Sequence, residues 1–158
     1  MRRLAVFLMT MLLLMPAVGC KSQAAGHYNS GGALDLKNDT DGAIAEYTKA
    51  IENDPTFFKA YLNRGIDRDT QNDHAGAMAD FTKVIELDPT NLQAYICRGG
   101  DRIITKDLDG AVEDFTKAIE LDPQMRSASY RNRAIAYKMQ GKGDLAAADE
   151  KKAADSGR

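Results

Sequence analysis

Three prolines lie at regular intervals along the chain. The two steps from Pro55 to Pro89 and from Pro89 to Pro123 are equal, and each of these prolines follows an aspartate. Residues of the same or similar type recur at this step elsewhere: Ala43, Ala77 and Ala111; Tyr47, Phe81 and Phe115; Glu52, Glu86 and Glu120. When 58–91 is aligned with 92–125, 18 of 34 positions are identical. Agreement on this scale indicates a tandem array of one structural unit.

Each repeated unit is predicted to consist of two helices. In the second unit, apolar residues recur with helical spacing over 59–71, and Asn72-Asp73 then breaks the pattern. A second amphipathic stripe runs over 75–87 and ends before Pro89, because the residue that precedes a proline avoids the α region. Small residues recur where the two helices would touch: Gly65 and Gly99 in first helices, Ala77 and Ala111 in second helices. A bulky side chain at these positions would hold the backbones apart.

This 34-residue pattern resembles the tetratricopeptide repeat (TPR) family. In that family, the first helix carries an aromatic residue and a glycine, and the second carries alanine, an aromatic residue and a closing proline. The matching residues are Tyr61, Gly65, Ala77, Phe81 and Pro89 in the second unit, and Tyr95, Gly99, Ala111, Phe115 and Pro123 in the third. The first unit has His27 at the leading aromatic position, and the fourth has Glu150 where phenylalanine is expected. A charged residue there suits a terminal capping helix, because nothing packs beyond it.

The resemblance implies an all-α fold: a TPR α-solenoid of about four antiparallel helix pairs that winds into a right-handed superhelix. The first helices of the units would line an extended concave face of this superhelix. The resemblance covers nearly all of the chain from Ala24 onward. The predicted units are 24–57, 58–91, 92–125 and 127–158, the last comprising a fourth repeat with the C-terminal capping helix.

The beginning of the chain, 1–19, is predicted to be a secretory signal peptide. Two arginines follow the initial methionine, and the stretch 4–15 is apolar except for one threonine. This stretch is shorter than the roughly 20 residues that a membrane-spanning helix needs. Small residues follow it, as they do before a cleavage site.

Residues 17–20, with the sequence AVGC, resemble the lipobox of bacterial lipoproteins, in which cleavage occurs before a lipid-bearing cysteine. The resemblance implies lipidation of Cys20 and a short tether over 20–25. The alternative is cleavage nearby, with no modification of Cys20. Lys21 stands where aspartate would favour retention in the inner membrane, so the resemblance implies an outer-membrane lipoprotein of the bacterial cell envelope that faces the periplasm.

The charge and the reactive residues argue against nucleic-acid binding and against catalysis. The net charge is −2, and removal of 1–19 takes away two arginines and leaves −4, so no basic field exists to hold nucleic acid. His27, His74 and Cys97 form neither a His-x-x-x-His nor a Cys-x-x-Cys pattern, and no glycine-rich phosphate loop occurs. The acidic residues recur with the repeat, which indicates solvated helix faces rather than a catalytic pair. We therefore expect no enzymatic activity, no cofactor and no metal site.

The resemblance to TPR proteins also implies which residues face the concave groove, chiefly those at positions 2, 5, 9 and 12 of each unit. The predicted groove residues are Tyr28, Asn29, Lys59, Leu62, Asn63, Ile66, Gln93, Ile96, Ile103, Arg131, Asn132 and Ile135. Half of the set is apolar or aromatic, with at least one such residue in every unit, which suits a helix or an extended peptide segment of a partner protein. It does not match the carboxylate clamp of chaperone-binding TPR domains, which has lysine and asparagine at positions 5 and 9. The three asparagines share position 6, where they would either hold a peptide backbone or have a packing role.

Charged residues replace the usual ones at two neighbouring positions of the first helices. In the third unit, Arg102 stands where TPR units usually carry tyrosine, and Asp101 stands where they usually carry a small residue. Arg98 lies three residues before Asp101, which predicts an ion pair along the helix, and Asp114 on the second helix is a further possible partner. Such residues would form a structural network, contact a specific partner, or make the helices less stable than usual. The second unit has the same pair of replacements, Asp67 and Arg68.

Two functions remain open at the level of sequence. The first is an adaptor or scaffold, tethered to a membrane through Cys20, that holds a segment of an envelope protein in its groove. The second is a structural, self-assembling homo-oligomer with no peptide client. Oligomeric state in solution distinguishes the two.

Overall fold

The computed structural model describes residues 17–122 and 126–156, which form helices and, within these ranges, no strand. The helices are α1 (Ala17–Asp35), α2 (Thr40–Asn53), α3 (Phe58–Thr70), α4 (His74–Leu87), α5 (Leu92–Ile104), α6 (Leu108–Leu121), α7 (Arg126–Met139) and α8 (Gly143–Asp155). The all-α fold of helix pairs is confirmed, and α3 and α4 begin and end within one residue of the predicted bounds. Most of the predicted signal peptide and Pro123 lie outside the described residues.

The chain divides by its contacts into two compact units, 1–60 and 61–158. In the first unit, α1 packs against α2 at Gly31, where an added Cβ would lie 2.6 Å from the ring of Tyr47. The residues 20–25, predicted to be a tether, are helical and belong to α1, and Ala24 is buried. Among the described helices, none is both long enough and apolar enough to span a membrane.

In the second unit, consecutive helices pack against one another in chain order from α4 to α8. The same glycine–aromatic contact joins the two helices of a repeat. A Cβ on Gly65 would lie 2.7 Å from the ring of Phe81, and a Cβ on Gly99 would lie 2.9 Å from the ring of Phe115. These distances are too short for a real side chain, which confirms the prediction that small residues mark the contact. Gly100, in contrast, has no atom within 4 Å of its Cβ position, so it has no such packing role.

The turn between the two helices has the same local structure in the second and third repeats. Asn72 and Lys106 adopt left-handed backbone angles, with φ of 63° and 67°. The following aspartates cap the next helix: Asp73 accepts a hydrogen bond from the backbone N–H of Gly76 at 3.0 Å, and Asp107 accepts one from Gly110 at 3.1 Å. The predicted helix break at Asn72-Asp73 is therefore a helix C-terminus followed directly by an N-cap.

In the first two repeats, the proline, Pro55 or Pro89, lies in the turn that follows the second helix. Helix α4 ends at Leu87, and Asp88 accepts hydrogen bonds from the backbone N–H and the hydroxyl of Thr90, at 3.1 and 2.7 Å. These bonds hold the pKa of Asp88 below its usual value. The turn is thus stabilised by an aspartate that accepts from the residue two places on, while the proline prevents continuation of the helix.

Candidate functional site

The interior of each repeat in the second unit contains a buried aspartate held by arginine. In the third repeat, Arg98 on α5 donates two hydrogen bonds to Asp114 on α6, from Nε to Oδ2 at 3.0 Å and from Nη2 to Oδ1 at 2.7 Å. Arg102 donates a third from Nη1 to Oδ2 at 2.8 Å. The Asp114 side chain is only 3% exposed. Charge-assisted, bidentate bonds of this kind fix both geometry and partner.

The second and fourth repeats contain corresponding pairs. Arg64 binds Asp80 through Nε at 2.9 Å and Nη2 at 2.7 Å, and Arg68 adds a bond at 2.8 Å. In the fourth repeat, Arg133 binds Asp149 through Nε at 2.7 Å and Nη2 at 2.9 Å. These bonds raise the pKa of Arg133 above its usual value. In the second, third and fourth repeats, arginine–aspartate contacts of this kind therefore link the two helices through charged side chains.

This arrangement corrects the predicted ion pair along α5. Arg98 pairs with Asp114 across the helix pair, whereas Asp101 faces His74 and Asp69. Spacing within one helix suggested the pair of Arg98 with Asp101, but the second helix presents a carboxylate that both arginines reach. Of the three readings of these charged positions, the structural network agrees with the observed contacts.

Two of these networks also reach the preceding repeat through a threonine, a contact that the sequence analysis missed. Arg98 Nη1 donates to Thr82 Oγ1 at 3.0 Å, and Arg133 Nη1 donates to Thr116 Oγ1 at 2.7 Å. The recurrence of threonine at equivalent positions of successive repeats was the signal that could have revealed it. The guanidinium groups therefore connect one repeat to the next as well as the helices within a repeat.

A tyrosine of the same first helix covers each of these guanidinium groups. The Cζ of Arg98 lies 5.9 Å from the ring centroid of Tyr95, and the Cζ of Arg133 lies 5.6 Å from that of Tyr130. Such contacts add a cation–π attraction and shield the charge from water. The leading aromatic residue of the repeat thus has a second role besides packing.

The predicted groove residues of the second unit occupy α3, α5 and α7, the first helices of its repeats. Those that are half-buried are Leu62, Asn63, Ile66, Ile96, Ile103 and Asn132, and those that are exposed are Gln93, Arg131 and Ile135. Exposure reaches 47% for Ile135. Apolar side chains at these positions are therefore only partly covered by the repeats themselves.

Three predicted groove residues belong to the first unit. Asn29 and Lys59 are exposed, whereas Tyr28 is half-buried. The Tyr28 ring packs against two other rings of that unit, with centroids 5.0 Å from Phe57 and 5.7 Å from Tyr47. Tyr28 thus has a packing role in its own unit in addition to any role in a groove.

A cluster of ionisable side chains lies where the second repeat meets the third. His74 Nδ1, at the start of α4, lies 3.0 Å from Asp69 Oδ1 and 2.9 Å from Asp101 Oδ1. The hydrogen bond to Asp101 is the main cause of a raised pKa of His74. Burial and the approach of Asp69 raise the pKa of Asp101 to about 6. We call these three residues, Asp69, His74 and Asp101, the Asp–His–Asp cluster.

Helix pairs that recur at one fixed interval and meet through a glycine–aromatic contact define a helical-repeat scaffold for protein–protein interaction. Family comparison gives the particular family: the tetratricopeptide repeat model matches residues 24–57, 58–91 and 103–125, more than half of the chain. The chain therefore belongs to the tetratricopeptide repeat family. This fold is an interaction scaffold and is not typically enzymatic. None of the curated protein sequences matches the chain significantly.

Solved structures support the fold. A MamA structure from Desulfovibrio magneticus RS-1 is 21% identical, covers 87% of this chain and 77% of its own, and has a TM-score of 0.80. The first TPR domain of Spaghetti (RPAP3), bound to the HSP90 peptide SRMEEVD, is 22% identical, covers 77% and 95%, and has a TM-score of 0.72. The Arabidopsis OM64 TPR domain is 25% identical, covers 78% and 98%, and has a TM-score of 0.67.

Proposed function

We propose that the protein is an adaptor of the bacterial cell envelope that binds a helix or peptide segment of a partner through its first helices. The observation that carries this proposal is the row of partly uncovered apolar side chains on α3, α5 and α7. Ile103, also on α5, packs against the buried cluster of Ala111, Phe115 and Ala136, so the row consists of Leu62, Ile66, Ile96 and Ile135. They are available for contact with another protein.

The contacts that join the two helices of a repeat explain why these side chains stay available. Glycine–aromatic contacts and the arginine–aspartate networks hold the two helices of a repeat together at their mutual interface. The groove residues of the first helices are therefore not required for the packing of the helix pair. Leu62 and Ile66 are four residues apart and lie on one side of α3. Anchors at this spacing suit an amphipathic helix laid into a hydrophobic groove.

The chemistry of the groove favours an apolar ligand over an acidic peptide end. The RPAP3 domain binds SRMEEVD, a peptide with three acidic residues. Here, Leu62 and Ile66 occupy repeat positions 5 and 9, where a clamp for such a carboxylate would need lysine and asparagine. We therefore expect the partner to present leucine-, isoleucine- or phenylalanine-rich helix faces.

A capture experiment tests the groove. Purified protein on a support is incubated with detergent-solubilised envelope, and the captured proteins are identified and then measured singly against the purified adaptor. The double variant Leu62→Asp with Ile66→Asp is expected to weaken binding at least tenfold. The control Ala147→Asp with Ala148→Asp makes the same change of charge at exposed positions of α8 and is expected to leave binding unchanged. Equal binding by both variants would move the site away from the first helices.

We also propose that Cys20 carries the membrane anchor and that the protein faces the periplasm from the outer membrane. Cys20 is a free, half-buried cysteine in the first turn of α1, and Lys21 follows it. Mass spectrometry of the mature protein is expected to find a lipid-bearing Cys20 as the first residue. Cys20→Ser should abolish the lipid, and Cys97→Ser should retain it. An unmodified N-terminus beyond Cys20 would contradict this part of the proposal.

A self-assembling structural protein is the second candidate, favoured by apolar exposure at the C-terminal helix pair. Met139 is 40% exposed and Leu145 is 48% exposed. Such side chains would be covered if copies associated end to end. Sedimentation velocity over a hundredfold range of concentration separates the candidates: a constant monomer supports the adaptor, and a larger species that Leu145→Asp disperses supports assembly.

A further inference from the structure

The Asp–His–Asp cluster brings together residues from three helices. Asp69 lies at the end of α3, His74 begins α4, and Asp101 lies in α5. One ligand atom from each of the three lies within 4.8 Å of those of the other two. Helices α3 and α4 belong to the second repeat and α5 to the third, so the cluster lies at the junction of two repeats.

Asp101 is the unusual member of this cluster. Its side chain is 2% exposed, and in the described part of the chain no donor reaches its Oδ2. Asp114, equally buried one helix later, accepts three bonds from guanidinium groups. Buried carboxylate oxygens are nearly always satisfied, because an unpaired one has lost its water without compensation. The Oδ2 of Asp101 therefore lacks the kind of partner that both oxygens of Asp114 possess.

The cluster also has two carboxylates but only one imidazole to pair with them. A single nitrogen of His74 contacts both carboxylates, and its one hydrogen can point toward only one of them. A carboxylate oxygen of Asp69 and one of Asp101 also lie within 4.8 Å of each other, so two like charges are held close together. A positive ion bound between the three groups would satisfy both carboxylates and remove this repulsion.

The geometry points to a site for a divalent transition-metal ion of the Zn²⁺ type, held by Asp69, His74 and Asp101. Two ligands of a tetrahedral Zn²⁺ ion with bonds of about 2.0 Å lie about 3.3 Å apart. The nitrogen–oxygen separations of 2.9 and 3.0 Å are close to this value, so small shifts of side chains accommodate the ion. An imidazole with two carboxylates favours Zn²⁺ over Mg²⁺ or Ca²⁺, which take oxygen ligands.

The exposure of the cluster gives the ion a route and an open coordination position. Asp101 is buried, His74 is 19% exposed, and the Asp69 side chain is 46% exposed. Solvent therefore reaches the cluster from the side of Asp69, where water completes a fourth ligand position. The bound ion links α3 and α4 of the second repeat to α5 of the third and restrains their junction.

Within 17–122 and 126–156, three such ligand residues come together at one place. At the equivalent positions of the next repeat, Ile103 replaces Asp69 and Leu108 replaces His74. From the sequence, no metal site was expected, because neither a His-x-x-x-His nor a Cys-x-x-Cys pattern occurs. The three residues of the cluster are separated by 5 and 27 positions in the chain. The site depends on the packing of α5 against α4, which no local spacing reveals.

Isothermal titration calorimetry with Zn²⁺ tests the proposal. The protein is untagged and carries Cys20→Ser and Cys97→Ser, so that no thiol binds the ion. We expect one saturable site of micromolar or tighter affinity. His74→Gln and Asp69→Asn should each weaken it at least tenfold, whereas His27→Gln, the other histidine, should leave it unchanged. Absence of binding in the parent, equal affinity in His74→Gln, or loss of binding in His27→Gln would overturn the proposal.

Thermal unfolding supplies a second readout that does not depend on heat of binding. A hundredfold excess of Zn²⁺ over its dissociation constant should raise the midpoint of the parent by roughly 5–10 °C. Asp69 is half-exposed, so Asp69→Asn should fold normally, as circular dichroism will show, yet it should show little of this shift. Millimolar Mg²⁺ should leave the midpoint unchanged. An equal shift with Mg²⁺, or an equal Zn²⁺ shift in Asp69→Asn, would also overturn the site.

Discussion

Removal of Asp114 should destabilise the protein more than removal of any exposed acid. Asp114 accepts three hydrogen bonds from Arg98 and Arg102. The arginine side chains are only 13% and 22% exposed. In Asp114→Ala, the guanidinium group of Arg98 would keep its positive charge in the interior without a carboxylate, and that of Arg102 would keep only its ion pair with the half-exposed Asp107, Nε to Oδ2 at 3.2 Å.

The structure sets the size of this effect. Loss of one partner from a buried ion pair costs about 3–5 kcal/mol, because the remaining charge is desolvated and unpaired. Arg98 would retain its bond to Thr82, and Arg102 would retain its ion pair with Asp107 and its bond to the carbonyl of Gly110. These remaining bonds place Asp114→Ala at the lower end of that range, about 3 kcal/mol. A loss of this size is a large part of the roughly 5–15 kcal/mol typical of a domain.

Urea denaturation followed by circular dichroism measures the loss. For a slope of about 2 kcal/mol per molar urea, the midpoint should fall by about 1.5 M. Glu113→Ala is the matched control, because Glu113 precedes Asp114 on α6, is less buried, and loses the same charge. It should change stability by less than about 0.5 kcal/mol. Equal midpoints for the two variants would show that water reaches the arginines and would refute the reasoning.

A double-mutant cycle gives an independent check on the pair. Arg98→Met removes the guanidinium group but retains an apolar stem. Once Arg98 is replaced, Asp114→Ala leaves one fewer buried positive charge without a partner. The loss of stability in the double variant should therefore be smaller than the sum of the two single losses by about 1–3 kcal/mol. Additive losses would mean that Arg98 and Asp114 do not interact.

Three further predictions concern the backbone and the thiol. Lys106→Gly should stabilise the protein by about 0.5–1 kcal/mol in urea denaturation, because Lys106 has a φ of 67° that glycine adopts without strain; a loss of stability would contradict this. Gly99→Ala should lower the free energy of unfolding by about 1–3 kcal/mol, because the new Cβ would lie 2.9 Å from an aromatic ring. Gly100→Ala meets no atom within 4 Å and should be neutral or stabilising, and the opposite order of the two urea midpoints would refute the packing argument. In a Cys20→Ser background, Cys97 should react with iodoacetamide at pH 8 roughly a hundredfold more slowly in the folded than in the denatured protein, because burial raises its pKa to about 11; equal rates would show that the thiol is not buried.

Much of the fold could be predicted from the sequence because its signals are local. The break at Asn72-Asp73 and the turn before Pro89 mark helix ends through backbone chemistry alone, and the observed bounds of α3 and α4 agree within one residue. Glycines at Gly65 and Gly99 identified the close contacts, since only a missing side chain admits an aromatic ring at that distance. Repetition of each signal made these inferences firm.

The candidate site was only partly predictable. The apolar character of Leu62 and Ile66 could be recognised from their repeat positions, and their partial exposure agrees with it. The pairing of Arg98 with Asp114 could not be predicted. The sequence offers Asp101, three residues away in the same helix, and Asp114 on the facing helix as equally suitable partners. The contact with Thr82 depends on how one repeat rests on the preceding one.

The sequence by itself determined the secondary structure, the length of the repeat and the family, because hydrophobic periodicity, caps and turns act over a few residues. Only the tertiary structure decided which charges meet. Asp114 and Asp101 are both buried aspartates of the third repeat, yet one is held by two arginines and the other faces a histidine and a second carboxylate. The difference arises because electrostatic partners are chosen by distance in space, and helix packing brings together residues that are 16 and 27 positions apart in the chain.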